Sequence, residues 1–102
     1  MHRVHQSLAA LLLLSASAWA SAQATDPLQA RSLAASCASC HGTDGRAQAG
    51  MVSLAGTPQD VLVKKMLDYK TGRIPATIMH QLAKGYSDEQ ITAIAAYFAA
   101  KK

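Results

Sequence analysis

Five consecutive residues, Cys37-Ala38-Ser39-Cys40-His41, constrain this chain more than anything else in it. Two thiols three positions apart on one helical turn can add across the two vinyl groups of a porphyrin. The histidine that comes directly after is then carried under the iron, where an imidazole nitrogen can ligate it. The pattern C-x-x-C-H reads as a c-type haem attachment site.

Two other chemistries compete for the same residues. A zinc site built from Cys37, Cys40, His41 and His80 has the nominal Cys₂His₂ composition, but His41 next to Cys40 lacks the H-x₃₋₅-H spacing of zinc fingers. A thioredoxin-like redox pair wants a βαβ setting, and no strand-like alternation precedes the motif. Haem is the favoured reading.

The N-terminus reads as an export signal. Arg3 stands in an acid-free opening, Leu8 to Leu14 is apolar, and small residues run on to Ala24. Ala20-Ser21-Ala22 and Ala22-Gln23-Ala24 both fit a cleavage site, after Ala22 or Ala24. The apolar run is well short of the ~20 residues that cross a bilayer. The expectation is a cleaved signal over 1–24, a single working domain over 25–102, and a periplasmic location without stable membrane insertion.

A domain of this size rarely buries enough apolar surface without a staple, and a haem would supply one. In an oxidising compartment a free C-x-x-C pair would close to a disulfide, whereas thioether-bonded cysteines cannot. Without Arg3 the chain has nine basic and six acidic residues, a net +3. Two propionates would bring that near +1. So mild a charge, with no basic cluster or aromatic platform, gives no basis for nucleic-acid binding.

The fold class is all-α, with three main helices. The first is expected from about Asp26 to Cys37, with Asp26 as cap, Pro27 in the first turn, and Ala30, Leu33, Ala34 and Cys37 on one face. The second opens at Thr57-Pro58-Gln59-Asp60 with Thr57 as cap, buries Leu62, Met66 and Tyr69, and stops at Gly72. The third begins at Ser87-Asp88-Glu89-Gln90, a capping box, with Ile91, Ile94, Ala95 and Phe98 inward. Ala30 and Ala34 offer a small face to Tyr97 and Phe98.

Four residues compete for the second axial position on the iron: Met51, Met66, Met79 and His80. Met66 lies mid-helix on the inner stripe. Met51 is only ten residues past His41, too few to swing over the ring. Met79 lies 38 residues past His41, in a segment opened by Gly72 and Pro75 and read as irregular. Met79 is favoured, with His80 the alternative ligand or else a solvent-facing neighbour. Methionine there raises the potential and closes the iron to substrates. Arg73 can meet a carboxylate through two hydrogen bonds, either a haem propionate's or none at all if it is simply solvated. Lys64, Lys65, Lys70 and Lys84 are expected as a solvated rim able to orient an acidic partner.

These residues resemble the class I cytochromes c of the c4 and c553 group. Cys37 to Gly42 with Asp44-Gly45, then Leu54-Ala55-Gly56, Tyr69-Lys70-Thr71-Gly72, and Ser87 to Ile91 with Ala95-Ala96-Tyr97-Phe98 carry the resemblance. Gly72 to Met79, continuing through Leu82-Ala83-Lys84-Gly85-Tyr86, is similar to the cytochrome subunit of flavocytochrome c sulfide dehydrogenases. That resemblance implies the small class I fold around one covalently bound haem c, Met79 as distal ligand, and an FAD-carrying partner subunit that oxidises sulfide. It also implies that a backbone carbonyl at Val52 accepts the proximal histidine's N–H. The group often has proline at that position, so valine leaves φ unfixed and a less rigid loop is expected. A single C-x-x-C-H restricts the chain to the one-haem form.

Three functions are compatible with these residues. The first is an electron-accepting subunit, not itself catalytic, docked on its flavoprotein through an apolar patch of Ile74, Ile78 and Tyr86. The second is a free cytochrome shuttling electrons to other redox proteins through its lysine rim. The third is a gas or peroxide sensor, which requires Met79 off the iron.

Overall fold

The computed structural model describes residues 26–102. The proposed signal segment over 1–24 lies outside the described residues. Within them the chain is all-helical, without a strand. The order is α1 (Pro27–Ala35), α2 (Ala38–His41), a 3₁₀ turn (Thr43–Gly45), α3 (Gln59–Lys70), α4 (Met79–Ala83) and α5 (Asp88–Ala99).

α1 starts as the sequence leads one to expect. The Asp26 carboxylate accepts from the Leu28 amide at 3.0 Å, with Pro27 in the first turn where its missing N–H costs nothing. It ends earlier than expected, at Ala35 rather than Cys37. There the Cys37 amide turns back to the Ala34 carbonyl (3.1 Å) and a new helical turn, α2, carries the haem motif.

α3 also begins later than expected. Pro58, with ψ 140°, is still extended and stands at the cap position, so Thr57 lies outside and no side chain caps this helix. α5 opens on the expected capping box. Ser87 Oγ accepts from the Gln90 amide (3.1 Å) and the Gln90 side chain accepts from the Ser87 amide (2.9 Å). Such a cap contributes about 1 kcal/mol.

The core lies where α5 crosses α1 and α3. Ala34, Leu62, Ile94, Ala95 and Phe98 are buried together. Phe98 is 2% exposed and packs edge-on to Tyr97, ring centres 5.2 Å apart. Ala34 on α1 and Phe98 on α5 lie in the same buried cluster, a small residue and a large one where the two helices pack. The buried hydrophobic side chains, four of them alanines, make a thin core, at about 1.5–3 kcal/mol for each large one. A chain so equipped gains from a large apolar cofactor.

The segment expected as irregular contains α4, with Met79 as its first residue. Its five residues are too few to show a helical period, and no side chain caps it. Its stability comes from packing on α3.

Candidate haem site

Cys37, Cys40 and His41 share one helical turn. The His41 amide donates to the Cys37 carbonyl at 2.9 Å, closing an i to i+4 bond. Cys40 is exposed and Cys37 half-buried. Burial pushes the Cys37 thiol up, only partly offset by a hydrogen bond with Ser36. A raised thiol is the opposite of what an activated redox pair displays.

Directly after His41 the chain turns sharply. Gly42 has φ +80°, and a Cβ there would collide with the Arg46 carbonyl oxygen, so only glycine fits. Asp44 is left-handed too, at φ 55°, and its carboxylate is held by the Tyr97 hydroxyl (2.8 Å) and the Lys101 ammonium (3.4 Å). These contacts tie the loop behind the haem motif to the C-terminal helix. Hydrogen bonds from Tyr97 and Lys101, and the charges of Lys101 and Arg46, hold the Asp44 carboxyl below its ordinary range.

The His41 ring is oriented by the backbone. Its Nδ1 lies 2.6 Å from the Val52 carbonyl oxygen. A carbonyl only accepts, so Nδ1 carries the proton and Nε2 keeps its lone pair free. The carbonyl position is the one implied by the resemblance. The lost proline is compensated: Ser53 Oγ accepts from the Ala47 amide (3.0 Å), and the Leu54 amide donates to the Gly45 carbonyl (2.8 Å). The Val52 loop is thereby braced without a fixed φ.

Met79 is half-buried at the start of α4. His80 is half-buried, with its Nδ1 enclosed and without a hydrogen-bond partner among the described residues. Met51 is exposed in its loop, and Met66 is half-buried on α3. The Arg73 guanidinium lies 3.3 Å from the Asp68 carboxylate, so Asp68 is the carboxylate it meets in this structure. Lys70 leaves the expected rim. Its ammonium donates to the Tyr86 carbonyl (2.7 Å) and the Asp88 carboxylate (2.8 Å) and is only 27% exposed. Lys64, Lys65 and Lys84 remain exposed. Tyr86 also leaves the expected docking patch. It packs against the core, and its hydroxyl shares a 2.5 Å hydrogen bond with Ser36 Oγ.

The residues fit a c-type haem. They supply two thiols on one turn, an imidazole whose Nε2 is left free, and a thioether on a separate helix. Met51, Val52, Ile78 and Leu82, on the segments flanking His41 and Met79, are large apolar side chains about half or more exposed, a surface suited to an apolar ring. The zinc alternative fails on geometry: among the described residues no three of the histidine, cysteine and acidic side chains gather as a metal would require. Two features escaped sequence reasoning, the buried Asp68 and the Tyr86–Ser36 bond. Both join residues distant along the chain or concern a charge that helical pattern places outside.

The comparisons agree with this geometry. The family model for cytochrome c matches residues 29–100, and the chain belongs to the cytochrome c family. As in that family, the fold serves electron transfer through covalently bound haem c rather than catalysis. The chain is 41% identical to the cytochrome subunit of sulfide dehydrogenase from Chlorobaculum tepidum, over 65% of this chain and 60% of that one. It is 39% identical to a cytochrome c4 from Pseudomonas aeruginosa, over 78% of this chain and 40% of the relative. A thiosulfate dehydrogenase electron acceptor from Stutzerimonas stutzeri is 38% identical over 94% of this chain and 47% of its own length. The matches therefore span about half the length of these relatives. Among the described residues no helix is long and apolar enough to cross a membrane.

Proposed function

We propose that this chain is a periplasmic one-haem cytochrome that accepts electrons from the FAD-containing subunit of a sulfide dehydrogenase. The observation that carries the electron-transfer reading is the His41–Val52 hydrogen bond, which leaves Nε2 as a ligand of fixed orientation. Cys37 and Cys40 would hold the cofactor by thioether bonds, and His41 Nε2 and Met79 Sδ would ligate its iron. When bound, haem c supplies one-electron ferric–ferrous chemistry. With His41 and Met79 both on the iron, sulfide would have no place there, and its oxidation would belong to the partner. Residues 1–24 direct export and 25–102 form the working domain.

The choice of partner is supported by the 41% identity to a sulfide dehydrogenase cytochrome subunit and by a second relative that accepts electrons from a thiosulfate dehydrogenase. Any part of Ile78 and Leu82 that the haem leaves uncovered would give an apolar docking edge. The free-shuttle reading is favoured instead by the exposed lysines 64, 65 and 84, a rim suited to weak, salt-dependent encounters.

The test is purification of the native periplasmic protein through a tag on this chain, followed by the absorption spectrum and addition of sulfide. Flavin eluting in proportion to haem, with sulfide reducing the haem, is the expected result. Haem alone, inert to sulfide at low and moderate salt, would establish the shuttle.

A further inference from the structure

Asp68 is the one charged side chain buried among the described residues, only 6% exposed. It is the inward acid of α3, and it has two cationic partners that differ in what they connect. Lys64, 2.6 Å from Oδ2, is one turn back on the same helix. Arg73, 3.3 Å from Oδ1, lies beyond the helix end, at the head of the segment that leads to Met79. The Arg73 amide also donates to the Asp68 backbone carbonyl at 2.8 Å. Asp68 therefore grips residue 73 by both main chain and side chain.

That grip matters because α4 is held by packing on α3, whereas the short stretch between residue 73 and α4 has little else to hold it. Gly72 reverses the chain at φ +73°, and from Ile74 to Thr77 no backbone amide bonds to another of the described residues. α4 then starts at Met79 without a side-chain cap. At the far end Tyr86 is held by Lys70 through its carbonyl and by Ser36 through its hydroxyl. The stretch from Arg73 to Tyr86 is fixed at both ends, and Asp68 is the anchor at the end nearer Met79.

We propose that Asp68 is a positioning residue for Met79: by holding Arg73 it sets where the 72–78 segment delivers the methionine sulfur, and so how firmly that sulfur stays on the iron. This rests on Met79 being the distal ligand. Burying a carboxylate is costly unless it is paired and hydrogen-bonded, and here the pairing joins α3 to the ligand-bearing segment. Removing the anchor frees the segment's first residue while the α3 core remains.

Lys64 and Arg73 supply a matched control, since both are exposed cations (74% and 71%) on the same carboxylate and only Arg73 ties the segment. Ferric holoprotein is titrated with imidazole, which competes for the distal position, and loss of the methionine–iron charge-transfer band is monitored. Arg73→Gln and Asp68→Asn should bind imidazole about three- to fivefold more tightly than wild type, the range open to an ion pair with one exposed member. Lys64→Gln should match wild type. A wild-type spectrum without the methionine–iron band would overturn the ligand assignment itself and the inference with it. With the band present, equal effects of Lys64→Gln and Arg73→Gln would overturn the inference alone. So would an effect of Arg73→Gln without one of Asp68→Asn, which would assign Arg73 to a propionate. Should Asp68→Asn fail to fold, the Arg73 and Lys64 pair still decides.

Discussion

The Val52 carbonyl oxygen sits 2.6 Å from Nδ1 of His41 and accepts its N–H in a hydrogen bond. One backbone group eleven residues along the chain thus selects the tautomer of the imidazole and aims its ring. No side chain other than the imidazole takes part in that bond, so its strength depends on the loop that carries it. That loop is braced through Gly45 and Ser53.

The tautomer can be read directly. In reduced, low-spin holoprotein, nitrogen NMR should show His41 Nδ1 protonated, with its proton protected from exchange. A rapidly exchanging Nδ1 proton would mean that the carbonyl does not hold it. Replacing Ser53 by Ala, which deletes the Oγ acceptor of the Ala47 amide, should speed that exchange while leaving the attachment of the cofactor intact.

Met79→Ala should convert the low-spin iron to a high-spin, open form and lower the potential by on the order of a tenth of a volt or more. His80 stands next in the chain with an enclosed, unpartnered Nδ1. If Met79→Ala stays low-spin and Met79→Ala with His80→Ala becomes high-spin, the histidine has replaced the methionine. A single variant with spectrum and potential unchanged would remove Met79 from the site. The measurements are optical spectra and potentiometry.

Acid should weaken the fold through two carboxylates. The Tyr97 hydroxyl, Lys101 and Arg46 hold Asp44 below the ordinary range, and Lys64 and Arg73 do the same for Asp68. A group depressed on folding stabilises the native state above its unfolded pKa, about 3.9 for aspartate, and loses that contribution as pH falls further. Urea midpoints should therefore fall as pH is lowered from about 5 towards 2. The slope should be shallower in Asp44→Asn and shallower again with Asp68→Asn added. Identical slopes in wild type and double variant would refute this assignment.

The α1–α5 crossing should be intolerant in both directions. Phe98→Ala removes a ring that is 2% exposed and should cost about 3–5 kcal/mol. Ala34→Leu, also at a position 2% exposed, pushes a branched side chain towards that ring and should cost about 1–3 kcal/mol. Denaturant melts of the holoproteins check both. A neutral Ala34→Leu would mean the helices can separate without loss.

Much of this arrangement was legible in residue order because the signals are local. C-x-x-C-H is contiguous, the Ser87–Gln90 capping box spans one turn, and the α5 stripe from Ile91 to Phe98 repeats at helical spacing. What stayed hidden depends on partners brought together only by folding. The pairing of Asp68 arises only when Arg73 returns to it beyond Gly72. Lys70 reads as rim until Tyr86 and Asp88 enclose its ammonium. α4 is too short for periodicity and lacks a capping side chain, so nothing local announces it. The Thr57 cap failed for a local reason: Pro58 keeps an extended ψ of 140° and pushes the helix start one residue on.

By the proposed ligation, His41 and Met79 would close both sides of the iron, making this chain a carrier of electrons without an open site for ligands. Exposure of the dithionite-reduced holoprotein to carbon monoxide tests it most directly. The spectrum of a six-coordinate, low-spin haem should persist unchanged at neutral pH. Formation of a carbon monoxide adduct in the wild-type protein would contradict it, leaving an open iron and favouring a sensor.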